Sequence, residues 1–370
     1  MASLDPMLAM LESFPGAEAS HGAYNCTGKR LATITDGIIR IMALDARGGW
    51  ALEEGGEIRS GQRGVLWKAA WADVKFGALL ATCSQDGTIK IWEDSGRLMT
   101  ETRGDVRWHS SATISTDYSV YDVRFAPFHL SLKFAAALGN GTVRIYDSTD
   151  PAEHAQWPQQ ESLGDREGRV ICLDWLPSEM EERPMMVLGN TSGKVQIWRR
   201  RDDGSTSTWQ KIVELPGRGH GLATPVVDVA WAPWMGTKHQ RVASCANDGR
   251  LQLHLLTKKG ATHGEVGGEW VHARSMDLDV GASDETDGEL LFSQVRRLSW
   301  DCTGSRLMSS GRDMVVHVWA ATASGEWDCI DKLNVDGGSE LGGGISTAIS
   351  ISNGENSQLN TVVPPYYNKK

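Results

Sequence analysis

An all-β chain built from one repeated unit is what the sequence predicts, and three observations predict it. A strand-like run ends six times on a turn residue: Asp36, Asp86, Asn140, Ser192, Asp248 and Asp313. Six residues after each turn residue comes Met42, Trp92, Tyr146, Trp198, His254 or Trp319. The spacings between turns are 50, 54, 52, 56 and 65 residues, too regular for scattered strands. A period of this length is the mark of blades arranged around an axis.

Each part of the repeat has a physical reason. Leu79 to Ser84, then Gln85-Asp86-Gly87, then Thr88-Ile89-Lys90-Ile91-Trp92 reads as apolar strand, tight turn, alternating strand and aromatic stop. Alternation at period two is the pattern of a half-buried strand. The Asp-Gly pairs are expected to form two-residue hairpin turns with both central residues at positive φ, which Gly, Asn and Asp tolerate. Upstream of each turn an innermost strand is expected to end at Tyr24, Trp71, Phe125, Trp175, Trp231 or Trp300. Downstream, Trp50, Trp108, Trp157, Trp209, Trp270 and Trp327 are expected to open the outermost strands. Thirteen of the fifteen Trp thus sit at repeat positions, which favours packing between blades over a ligand cage. Trp67 and Trp234 fall outside the pattern and remain the aromatic candidates for a ligand-reading face. The reading is an open six-bladed β-propeller of the WD-repeat kind.

Composition narrows the function. The net charge is −10, and the compact basic run Arg199-Arg200-Arg201 is followed at once by Asp202-Asp203, as in a solvated turn. Binding to DNA or RNA through phosphate neutralisation is not expected. Cys26, Cys83, Cys172, Cys245, Cys302 and Cys329 form no Cys-x-x-Cys pair, which argues for reduced thiols and no zinc site. No apolar run of 18 residues and no signal-like N-terminus occurs, so neither membrane insertion nor secretion is expected. No phosphate-binding Gly loop, zincin motif or nucleophile elbow is present. His220 and His317 read as structural, and the turn aspartates fall in different blades, too far apart to share an ion. Neither catalytic nor metal-binding residues are assigned, and no cofactor is expected.

The expected organisation is an N-terminal extension over 1–16, a propeller over 17–334 and a disordered tail over 335–370. Asp5 and Pro6 could open a short N-terminal helix. Thr257 to Asp287 reads as a polar, Gly-rich insertion around Trp270. Residues 258–287 and 336–370 are expected to be mobile and dispensable for folding.

Strand counting raises one further point. A propeller usually closes by lending an N-terminal strand to its last blade. Here Trp327 to Leu333 supplies the last blade's own outer strand, and Tyr24 already ends the first blade's innermost strand. The count leaves six blades with no clasp, and an unpaired edge is a template for another chain. The seam between blade one and blade six is therefore the candidate partner site. Its named residues are Leu31, Ile39, Ile41, Leu307, Val316 and Val318.

Several runs resemble one family. Val65-Leu66-Trp67-Lys68-Ala69-Ala70-Trp71-Ala72 with Leu80 to Gly87 resembles a signature shared by Seh-type nucleoporins and their Sec-thirteen-type sisters. Val123 to Pro127, Val143 to Asp147, Cys172 to Ser178, Pro184-Met185-Met186 and Pro225 to Pro233 favour the Seh type. The resemblance covers about residues 20 to 334, and departs from the family at Tyr24 to Gly28 and at His254. It implies a scaffold subunit of the Y-shaped outer-ring complex of the nuclear pore, at the nuclear envelope. It also implies that an α-helical scaffold nucleoporin donates the seventh blade in trans, beside other outer-ring nucleoporins. A vacuolar or lysosomal SEA/GATOR coat that regulates nutrient signalling is implied as a second setting. A COPII coat subunit of the Sec-thirteen type and a peptide-reading substrate adaptor stand as alternatives.

Overall fold

Among the described residues, twenty-four strands form six four-stranded antiparallel sheets, each a meander in chain order. The computed structural model describes residues 21–334 apart from 47, 97–106, 151–153, 180, 182, 203–206, 216–223, 235–238, 260–268, 279–294 and 312–314. The N-terminal helix, His220, Asp313 and the tail lie outside the described residues. Among those described there is no α-helix, only the short 3-10 turns Val74–Phe76 and Phe128–Leu130.

The innermost strands are His21–Tyr24, Leu66–Trp71, Val120–Phe125, Val170–Trp175, Val226–Trp231 and Val295–Trp300. Each stops on the aromatic that the repeat register names. In blades two, four and six the indole N–H of that aromatic donates to the preceding blade. Trp71 donates to the Ala23 carbonyl at 2.9 Å, Trp175 to Arg124 at 3.1 Å and Trp300 to Ala230 at 3.1 Å. The three acceptors occupy the same register position, one residue before the preceding aromatic. Trp231 departs from this and bonds Gln240 of its own blade at 3.0 Å.

The turns correct the two-residue expectation. Among the described turns only that of blade one has both central residues at positive φ, with Asp36 at 47° and Gly37 at 76°. In blades two to five only the glycine is positive, and its N–H bonds the carbonyl three residues back, as Gly87 does to Ser84 at 3.2 Å. These are type I turns closed by a glycine bulge. The Asp or Asn is there for its side chain: Asp86 Oδ1 accepts from Thr88 N at 2.9 Å and from Thr88 Oγ1 at 2.6 Å. Asn140 repeats both bonds with Thr142.

Two further expectations need correction. Glu269–Leu278 lies inside the supposed insertion, yet it is the ten-residue outer strand of blade five, with Trp270 fully buried. It pairs with Leu251–Lys259, so residues 258, 259 and 269–278 of that segment belong to the sheet. Arg199 to Arg201 lie in a strand, Val195–Asp202, where Arg200 Nε meets Glu161 at 2.9 Å.

The axis is polar. Counting back three residues from each innermost aromatic gives His21, Lys68, Asp122, Cys172, Asp228 and Arg297. Lys68 Nζ lies 2.7 Å from Asp122 of blade three and 3.2 Å from Asp228 of blade five. All three side chains are almost fully buried. Burial opposes the ammonium, but the two aspartates outweigh it and hold the Lys68 pKa above its ordinary value. Burial likewise opposes the Asp228 carboxylate, and Lys68 with Arg297 and Arg124 overcomes it, leaving that pKa lowered. Both carboxylates also bind the next blade's backbone. Leu173 N donates to Asp122 at 3.1 Å, and Leu298 N to Asp228 at 3.0 Å. Asp174, two residues further along its strand in this register, accepts from Trp231 N at 2.8 Å.

A second polar motif sits inside the blades. Trp92 donates to the Thr82 hydroxyl at 3.0 Å, and Trp319 to Ser309 at 2.9 Å. In blade five His254 takes the Trp position, bonding Ser244 at 2.9 Å through Nε2 and Ser275 at 2.7 Å through Nδ1. Burial first, and then His272, push the His254 pKa down from 6.5 to about 3.

Two predictions follow from these polar groups. Lys68→Met strands two buried carboxylates and should lower stability by about 3–5 kcal/mol. Removing the partners as well, with Asp122→Asn and Asp228→Asn, should recover part of that loss in urea unfolding. His254 stays neutral in the fold but protonates in the unfolded chain. Its contribution is therefore full above pH 6.5 and is lost as pH falls toward 3. His254→Trp should flatten the acid limb of the stability curve, by roughly 3 kcal/mol near pH ~4.5. An unchanged acid limb would rule the histidine out.

Candidate functional site: the uncovered faces of blades one and six

Five apolar cores bind the six blades in sequence. They join one to two, two to three, three to four, four to five and five to six. Among the described residues no such core joins blade six to blade one. Instead Leu31, Met42 and Trp50, with Leu44, form a small cluster belonging to blade one alone.

The outer tryptophans explain what this cluster is. Trp108, Trp157, Trp209, Trp270 and Trp327 each pack into the core shared with the preceding blade. Four of these also meet the aromatic of their own innermost strand edge-on. The ring centroids are 5.7 Å apart for Trp71–Trp108, 6.2 Å for Phe125–Trp157, 6.1 Å for Trp175–Trp209 and 5.6 Å for Trp300–Trp327. Blade five substitutes Trp234 for Trp231, at 5.8 Å from Trp270. Blade one repeats the motif with Tyr24 and Trp50 at 5.7 Å. Its face therefore has the chemistry of a blade prepared for a predecessor. Tyr24 is 42% exposed and Leu52, opposite Met42, is 43% exposed.

Strand alternation decides which of the sequence-named seam residues lie on the free faces. Leu31 does, in the blade-one cluster. Val316 and Val318 do as well, because they alternate with Trp319, which faces blade five. Ile39 and Ile41 instead pack against blade two, and Leu307 against blade five. Directly opposed residues share a face. Leu307 pairs with Trp319, and Ile39 with Ile34, so these strands turn those side chains inward. The same register adds residues the sequence reading missed: Met42 beside Leu31, and Met308 opposite Val318.

Other candidates have structural partners. Trp67 packs on Tyr121 at 5.8 Å and on the core of blades two and three, and Trp234 is held in the core of blades four and five. His317 is buried and stacked on Trp319. Asp165, Glu167 and Glu214 lie close enough to share an ion. Two lysines already serve them: Lys211 meets Asp165 at 2.8 Å and Glu214 at 3.0 Å, and Lys194 bonds Glu167 and Glu214. Cys83, Cys172 and Cys245 are buried free thiols whose pKa values burial pushes up.

The blades, their Trp template and the two apolar faces define a WD-repeat β-propeller. The WD domain, G-beta repeat family matches residues 73–93 and 289–320. Nucleoporin SEH1 of Xenopus tropicalis is 30% identical over 357 residues, covering 90% of this chain and 93% of that protein. Nucleoporin SEH1-A of Xenopus laevis is 31% identical over 326 residues, 85% of each. Nucleoporin SEH1 of Homo sapiens is 30% identical over 325 residues, again 85% of each. The chain belongs to the SEH1 nucleoporin family. Fold and relatives together indicate a structural protein.

Proposed function

We propose that this chain is a scaffold subunit of the outer-ring complex of the nuclear pore and accepts a blade from an α-helical nucleoporin between blades one and six. One observation carries the reading. Every outer Trp from blade two onward packs into a core shared with the blade before it, whereas among the described residues Trp50 clusters only with residues of its own blade. A donated strand element would supply backbone pairing and cover the apolar side chains, which is β-augmentation followed by packing. The relatives named nucleoporins support the location at the pore and the company of other nucleoporins. The same faces would serve a SEA/GATOR-type coat, because the recognition chemistry is identical.

The test separates free-face from inward residues. Leu52→Asp and Val316→Asp place a charge on the free faces and should weaken association with the blade donor at least tenfold, about 1.4 kcal/mol. Both variants should stay folded, since neither side chain lies in an inter-blade core. Ile39→Asp should unfold blade one instead, because Ile39 is fully buried against blade two. Hydrogen exchange with and without the donor should show protection in Arg30–Leu44 and Arg306–Ala321. Protection confined to blades three and four would overturn the reading.

A further inference from the structure

One end of the axis, where the innermost strands stop, opens into a depression of about 570 Å³. All six blades line it, through Cys26, Asp73, Arg124, Asp174, Pro233 and Trp300 among others. Its walls carry the rings of Trp71, Phe125, Trp175, Trp231 and Trp300. Four of these rings are fixed by indole hydrogen bonds. A concave site of this size, apolar with a few polar groups, suits a small ligand or a short peptide segment.

The polar groups that line it, Arg124 and Asp174, and those two residues back along the same or neighbouring innermost strands, Asp122 and Asp228, are unequal. Asp122 Oδ2 is occupied by Lys68 and Leu173 N, and Oδ1 by Val123 N at 2.8 Å. Asp174 accepts from Trp175 N and Trp231 N, and Asp228 from Lys68 and Leu298 N. Arg124 has no such arrangement. Its side chain is 35% exposed, and its nearest carboxylate oxygen, on Asp122, stands 3.8 Å from Nε. That Nε is itself buried and has no hydrogen-bond acceptor. A guanidinium offers five donors in a fixed fork that matches a carboxylate.

The rim adds an apolar and a cationic feature. Phe128 is 45% exposed and lines the mouth. The Lys75 ammonium lies 4.6 Å from its ring centroid and 4.7 Å from that of Phe76. The rim carboxylate Asp73 is engaged in capping its own turn, accepting from Lys75 N at 3.0 Å, while Glu179 faces His129.

We propose that this axial depression is a second binding site, separate from the blade faces, and takes a short peptide that presents a carboxylate to Arg124 and an apolar side chain to Phe128. The carboxylate comes either from an acidic side chain or from a chain terminus. The site needs no donated blade, and its occupation does not depend on the outer-ring role.

Two random heptapeptide display libraries panned on the full chain test this, one with free C-termini and one with blocked C-termini. Selected sequences are then made as fluorescent peptides and titrated by anisotropy. Enrichment of acidic residues beside apolar ones in the blocked library points to a side-chain carboxylate. Enrichment only with free termini points to a terminal one. In either case, amidating the carboxylate should weaken binding at least tenfold, as should Arg124→Gln. Arg124 also balances buried aspartates, so its variant loses stability as well, and Phe128→Ala serves as the independent variant. It should weaken binding at least threefold without moving the melting temperature. The proposal fails if no peptide is recovered, if the amidated peptides bind as well, or if Phe128→Ala and Arg124→Gln bind undiminished.

Discussion

The fold depends on one buried ion cluster at its axis. Lys68 reaches from blade two to Asp122 in blade three and across to Asp228 in blade five. Adjacent blades already share apolar cores, but blades two and five share none. A closed ring distributes its strain around a continuous circle. A ring whose ends share no core can open like a hinge, and contacts between neighbours alone would resist that weakly. A charge pair across the axis resists it directly. The desolvation cost is considerable, and the backbone donors Leu173 N and Leu298 N help offset it with further hydrogen bonds to the two carboxylates.

This cluster also explains the direction of the blade-to-blade bonds. Asp228 uses one oxygen within the channel and the other on the next blade's innermost strand, whereas Asp122 Oδ2 serves both Lys68 and Leu173 N of the next blade. The indole bonds run the opposite way, from Trp71, Trp175 and Trp300 back to the preceding blade. The two sets together fix the spacing and tilt of neighbouring sheets. Apolar packing is non-directional and could not do that alone.

Much of this fold was legible because the repeat aligns chemistry with geometry. The six innermost strands end at the six named aromatics, and the outer tryptophans fall where the register puts them. The axial cluster was equally visible in principle. Charged residues recur three positions before an aromatic stop, in innermost strands, at Lys68, Asp122, Asp228 and Arg297. What a linear reading could not give was the face of each strand. Ile39, Ile41 and Leu307 are as apolar as Leu31 and Val316, and only pairing register separates them. The turn geometry was also hidden. Asp-Gly is compatible both with a two-residue turn, as at Asp36-Gly37, and with a type I turn plus bulge, as at Asp86-Gly87. One more residue in the loop decides between them.

The two ends of the ring are not equivalent, and the Trp template shows why. Each outer Trp looks back toward the preceding blade, so every internal junction has a Trp-bearing side and a strand-backed side. At the ends these sides part. Blade one keeps the Trp-bearing side, with Trp50, Tyr24, Met42 and Leu52. Blade six keeps the other, with Val316, Val318 and Met308. A blade entering between them would meet two chemically distinct walls, an aromatic one and an aliphatic one. A symmetric intruder, or a second copy of the same face, could satisfy only one wall at a time. The asymmetry therefore selects for an element with two different faces, inserted in one orientation, and it disfavours self-association through either wall alone.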